Sequence, residues 1–184
     1  MNLKTISGPV LFLVFLLSSC TRFEPSMFNP ESGSSFVKNR GVFIINEGNY
    51  LQGNGSLSFY SLDSSLVYNN IFEDINNRPL GDIPFSMETD SDGQLFIVVN
   101  NSEKIEVLGS DDLKSRKTIT ELVSPRYILK INDSQAYVSS IYSDHIVKID
   151  LKTETVSGDF LLGFTSEAMI SFNGKAYIAS RRLT

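Results

Sequence analysis

The feature that most constrains this chain is an internal repeat. The stretch Pro125-Arg126-Tyr127-Ile128-Leu129 is followed by the turn Asn132-Asp133-Ser134, then by Ala136-Tyr137-Val138 and His145-Ile146-Val147-Lys148-Ile149-Asp150. The same order stands 41 positions earlier, where Pro84 answers to Pro125, Phe96 to Tyr137, Ile105 to Ile146 and Leu108 to Ile149. Downstream, Ala136-Tyr137-Val138-Ser139-Ser140 meets Ala176-Tyr177-Ile178-Ala179-Ser180 at an offset of 40. A looser copy opens at Gly41-Val42-Phe43-Ile44-Ile45-Asn46. A unit of about this length, made of short strands with turns between them, is one blade of a β-propeller. The expected fold class is all-β, a partial β-propeller of about three to three and a half four-stranded blades.

Strands are expected over 42–46, 56–61, 85–89, 95–100, 104–108, 127–131, 136–140, 146–151 and 176–180, and no helical pattern stands out. Several read as continuous apolar runs, such as Leu95-Phe96-Ile97-Val98-Val99, which suits strands covered on both faces by neighbouring blades. Each repeat then has four strands: A from Pro84 or Pro125, B with Phe96 or Tyr137, C with Ile105 or Ile146, and D around Ile119 or Phe160. Antiparallel succession sends alternate connections to opposite ends of a blade. The B–C loops and D–A links therefore fall on one face, and the A–B and C–D turns on the other.

The two faces differ in chemistry. The turns Asp90-Ser91-Asp92-Gly93, Asn132-Asp133-Ser134 and Asn173-Gly174 read as plain connectors. The first of these contains part of a calcium-loop spacing without the later ligands, so the turn reading is preferred. The loop face instead gathers Asn46 to Gly55, Asn100-Asn101-Ser102-Glu103, Ile141-Tyr142-Ser143-Asp144-His145, and the links around Pro84 and Pro125. Aromatic side chains among Asn, Asp and Arg on a rigid scaffold suit a bulky polar organic ligand. The residues expected to touch it are Glu47, Asn49, Tyr50, Asn100, Arg126, Tyr127, Tyr142, Asp144 and His145. The bland alternative is that the polar residues only make turns and that Tyr50 and Tyr142 cap the blade core.

The first twenty residues read as an export signal. Lys4 supplies the positive start, residues 10–17 a short apolar core, and Ser18-Ser19 the small residues before a cut. Residues 21–40 are rich in Ser, Pro, Asn and Gly and show no period, which reads as a tether. The domains expected are a signal peptide over 1–19, an anchor and tether over 20–40, and the incomplete propeller over 41–184. A net charge of −5 without any long Lys/Arg run argues against nucleic acid as a partner. His145, the only histidine, stands beside Asp144, but a catalytic triad would also need a placed nucleophile and a zinc site more N or S ligands than His145 and Cys20, the only cysteine, supply, so a solvated loop histidine is the plainer reading. No catalytic residue, metal site or cofactor is expected.

Two resemblances add to this reading. Leu17-Ser18-Ser19-Cys20 resembles the lipobox of bacterial lipoproteins, which implies that Cys20 is acylated and that the chain is anchored to a membrane. The strands at 96–100, 136–140 and 176–180 resemble YVTN-type (YncE-like) propeller repeats. Residues 41–49 with Gly55-Ser56-Leu57-Ser58-Phe59-Tyr60 are similar to the opening of surface lipoprotein propellers of Bacteroidetes-type bacteria. The resemblance implies an outer-membrane or cell-surface location, capture of cobalamin or another corrinoid, and transfer to a TonB-dependent transporter. It also implies a ring of about seven blades. Set against that ring, the sequence supplies an opening strand pair, two whole repeats and half of another, which reads as a truncated or frame-shifted member or as one completed by self-association. The competing functions are a metal-dependent propeller hydrolase or lyase of the lactonase kind and a protein-interaction scaffold.

Overall fold

The computed structural model describes residues 40–180. The signal segment, Cys20, most of the tether and Arg181-Arg182-Leu183-Thr184 lie outside the described residues. Inside them, the apolar run at 95–99 explains most of the architecture. In a strand, successive side chains point to opposite faces. Leu95, Ile97 and Val99 accordingly enter one core with Leu57, Phe59, Ile71, Phe72 and Leu80. Phe96 and Val98 enter a second core with Ile105, Val107, Ile128, Ala136, Val138 and Ile149. All five are buried because the sheet that carries them is sandwiched between two others. Each such side chain contributes about 1.5–3 kcal/mol of hydrophobic stabilisation.

That central sheet contains β4 (Pro84–Thr89), β5 (Gln94–Val99), β6 (Lys104–Gly109) and β7 (Ser115–Ile119), paired in sequence order. The next repeats the pattern with β8 (Pro125–Asn132), β9 (Gln135–Ser140), β10 (His145–Asp150) and β11 (Thr155–Leu161). Every pairing is antiparallel. The A to D strand assignment read from the repeat matches these eight strands in order. A hairpin of β12 (Ser166–Phe172) and β13 (Lys175–Ser180) opens another blade. The inner strands of neighbouring sheets touch, β4 with β8 and β8 with β12. The Ser86 hydroxyl stitches the first pair, donating to Arg126 O at 2.7 Å and accepting from Ile128 N at 3.3 Å.

The opening of the chain differs from expectation. In place of a strand pair, β1 (Gly41–Asn46), β2 (Ser56–Ser61) and the short β3 (Leu66–Tyr68) form a three-stranded sheet. A one-turn-and-a-half helix follows, α1 (Ile71–Asn76), where no helix was expected. Six residues cannot hold a helix by local propensity. Tertiary contacts hold it instead: Ile71 and Phe72 are buried in the first core, and Asn76 Nδ2 donates to Phe72 O and Leu113 O, both at 3.0 Å. Ser115 N completes the dock by donating to Asn76 Oδ1 at 2.8 Å. The strand β12 supplies the first strand of the expected half repeat, although its mixed Ser-Glu-Ala-Met-Ile-Ser-Phe sequence, without a Pro-led start, sets no bounds for it.

Beside α1 lies Glu106, a fully buried carboxylate on β6. Arg78 Nη2 reaches its Oε1 at 2.5 Å, Lys104 Nζ its Oε2 at 2.9 Å, and the Ser115 hydroxyl donates to Oε1 at 2.5 Å. Burial pulls this carboxyl group upward in pKa, but the donors from Arg78, Ser115 and Lys104 outweigh it and hold it below the ordinary glutamate value.

Candidate functional site

The connections sort onto two faces as the strand succession requires. On one face, loop 47–55 reaches the link at 81–83: Gly55 N donates to Gly81 O at 3.1 Å and Leu51 N to Asp82 Oδ2 at 2.8 Å. A side chain at Gly55 would overlap the Pro84 ring, so this crossing needs glycine. Asp82 is the hub. Its N–H donates to Ser102 Oγ at 2.9 Å, and its Oδ2 also accepts from Asn101 Nδ2 at 2.5 Å, while its buried Oδ1 has no partner. In the next sheet, the Ser140 hydroxyl donates to Val123 O at 2.5 Å and accepts from Tyr142 N and Ser143 N. Asp144 O accepts from Leu162 N and Gly163 N at 2.7 and 3.2 Å.

These rigid loops hold large apolar side chains in solvent. Tyr50 is 66% exposed and Tyr142 70%, so neither caps a blade core. Leu51, Val123 and Phe164 on the same loops and links are exposed as well. Glu47 and Asn49 are exposed on the loop with Tyr50. His145 and Asp144 pair on the loop with Tyr142, Nδ1 to Oδ1 at 2.8 Å. Asn100 is placed differently: only 8% exposed, it donates from Nδ2 to Ser124 Oγ at 3.1 Å and Pro125 O at 2.7 Å. Its side chain is committed to the link between blades rather than presented to solvent.

Arg126 and Tyr127 belong to the inner edge of the blades. The Arg126 guanidinium carbon lies 3.3 Å from the centroid of the Phe85 ring, and its Nη2 bonds Glu167 Oε1 at 2.7 Å. Tyr127 meets Phe85 edge-on, with centroids 5.2 Å apart. Phe85, Arg126 and Glu167 occupy the same place in three successive A strands, each 41 residues from the last. At each of them the A strand breaks register with its B strand, between Pro84 and Ser86, between Pro125 and Ile128, and between Ser166 and Met169. A bulge of this kind re-aims a side chain out of the pleat. Glu167 was missed as a site residue, although the 41-residue spacing applied twice to Phe85 lands on it.

The opposite face is closed by short turns and ion pairs. Lys152 Nζ of one sheet reaches Asp92 Oδ2 of its neighbour at 2.6 Å, Lys117 Nζ donates to Thr153 O at 2.7 Å, and Lys130 pairs with Asp133 at 2.9 Å. The hydrogen bond to Asp92 raises the pKa of Lys152, and that from Lys130 lowers the pKa of Asp133. Asp90 Oδ1 accepts from Asp92 N and Gln94 N, as a turn residue does.

Radial four-stranded antiparallel sheets joined at their inner strands, with loops gathered at one face, define a β-propeller protein. Residues 40–183 match the domain of unknown function DUF5074, and the chain belongs to that family. A quinonprotein alcohol dehydrogenase-like protein of Bacteroides thetaiotaomicron is similar over 79% of this chain and 34% of its own, with 17% identity and a TM-score of 0.56. A functionally unknown protein from Desulfotomaculum acetoxidans aligns over 75% of this chain and 45% of its own, at 12% identity and a TM-score of 0.57. A protein from Lactobacillus plantarum aligns over 76% and 47%, at 17% identity and a TM-score of 0.53. The likeness to these structures is one of fold, and the chain spans less than half the length of each. No curated protein matches the chain.

Proposed function

We propose that this chain is a non-catalytic capture protein, whose loop face takes a small organic ligand while acylated Cys20 keeps it on an outer membrane or cell surface. The contrast between the two faces carries the reading. Tyr50, Leu51, Val123, Tyr142 and Phe164 stand in solvent on loops and links held by hydrogen bonds, whereas the tips of the opposite face are short turns and ion pairs, with Leu62 and Phe172 exposed beside them. Exposed aromatic area on a backbone that is already ordered binds with little further loss of conformational entropy. A corrinoid is the first candidate ligand. Its flat ring asks for apolar surface and its amide side chains for groups such as Glu47, Asn49 and Asp144. The resemblance to cobalamin-capturing lipoproteins supports the same choice.

On this reading the tether keeps the loop face near the mouth of a TonB-dependent transporter, so that a captured ligand is released locally at high effective concentration. Among the described residues no three His, Cys, Asp or Glu side chains are grouped to hold a metal ion. Calorimetry of the full chain with cobalamin and cobinamide at micromolar concentration tests the proposal. Saturable heat with at least one corrinoid supports it, and no heat with either sinks it.

A further inference from the structure

We propose that His145 is an axial ligand for a metal ion that arrives already held in a flat organic macrocycle. This rests on the capture reading and names the chemistry by which the loop face would grip its cargo. A carboxylate can only accept, so the 2.8 Å contact to Asp144 Oδ1 fixes the proton of the neutral ring on Nδ1. Nε2 keeps its lone pair, has no hydrogen bond, and belongs to a side chain 39% exposed. A carboxylate behind the distal ring nitrogen is the arrangement that orients a metal-binding imidazole.

The loop is built to hold that orientation. His145 N donates to Ser143 Oγ at 3.2 Å, and Asp144 O is anchored by the amides of Leu162 and Gly163. A lone imidazole cannot retain a free divalent ion, which needs three or four protein ligands. One donor suffices where the macrocycle already fills the equatorial positions and only an axial one is open. The surroundings fit a flat apolar body: Tyr142 shares the loop, Leu161 is the strand partner of His145, Phe164 follows in the adjoining link, and all three are exposed.

The step forms one bond, from Nε2 to the metal, and releases one weakly held axial water; no electron is transferred. The test is a visible-absorption titration of the full chain with aquacobinamide, with haemin as the other macrocycle, each run beside calorimetry. Aquacobinamide is expected to shift its absorption bands at one equivalent. His145→Ala is expected to abolish the shift with unfolding temperature unchanged, and Asp144→Ala to weaken binding about tenfold. Dicyanocobinamide, with both axial positions filled, should give no shift. A shift with haemin in place of the corrin keeps the axial role of His145 and reassigns the cargo. Heat without a band shift, or a shift that survives in His145→Ala, overturns the axial role and leaves the capture reading standing. Neither heat nor shift with either macrocycle overturns both.

Discussion

The guanidinium of Arg126 stacks on the ring of Phe85, the residue that occupies its own place one repeat earlier. Glu167, one repeat later, takes the other end of the same group at 2.7 Å. Three blades are thereby fastened at their inner edge by three different chemistries set on one repeated position. The cation–π contact and the ion pair share one cation, so the two should be energetically coupled.

The measurable consequence is a coupling energy. Arg126→Ala should lower stability by about 1–3 kcal/mol. In a double-mutant cycle with Glu167→Ala, the two losses should fall short of additivity by at least about 0.5 kcal/mol. Strict additivity in denaturant unfolding would show that the pair does not act as a unit.

Glu106 yields a prediction in pH. Its carboxyl is held below the ordinary value of 4.5, so it binds fewer protons folded than unfolded. The resulting stability is fully present above the unfolded value and is lost as pH falls through the lower folded value. Denaturant midpoints measured from neutral to acid pH should therefore drop below about pH 4.5, and Glu106→Gln should flatten part of that drop. At neutral pH the substitution should cost about 1–3 kcal/mol, because Lys104 and the partly exposed Arg78 would lose a charged partner. A neutral substitution there would mean that water reaches the cluster.

Asp82 gives a local test. Asp82→Ala removes the acceptor for Leu51 N and Asn101 Nδ2, both at the root of the loop that carries Tyr50. Amide exchange at Leu51 should quicken by an order of magnitude or more, while amides of β5 keep their protection. Unchanged exchange at Leu51 would mean that the loop is held from elsewhere.

Tyr50→Ala and Tyr142→Ala should separate binding from folding. Both rings are exposed, so unfolding free energies should stay within about 0.5 kcal/mol of the parent. Corrinoid affinity should fall about tenfold for each, a loss of about 1.4 kcal/mol. Equal affinity in both variants would move the ligand off this face.

Much of the fold was legible because the repeat is carried by buried residues. Pro84 and Pro125, Phe96 and Tyr137, Ile105 and Ile146 mark A, B and C strands in the same order in both full blades, and the division into two faces follows from that order alone. What escaped lies where local sequence is weak and distant contact decides. The helix α1 is too short to announce itself and exists through Asn76 and two buried apolar residues. Asn100 looked like a ligand contact because loop asparagines commonly face solvent; its role in bonding Pro125 O depends on the neighbouring blade. The partnership of Arg78 with Glu106, 28 residues apart, has no signature in spacing.

The double-sided burial of β5 has a consequence for how the chain finds its alignment. Most strands are protected from sliding by one residue because the slip would turn polar side chains inward. β5 has no such guard: shifted by one, Leu95 to Val99 would still offer oily side chains to both neighbours. Its alignment must be fixed at the ends. One end is the turn in which Asp90 grips the amides of Asp92 and Gln94 and Gly93 takes φ of +78°. The other is the break opposite Pro84, where no amide hydrogen is available to pair out of step. A few hairpin residues at the rim thus set the frame, and the greasy interior follows it.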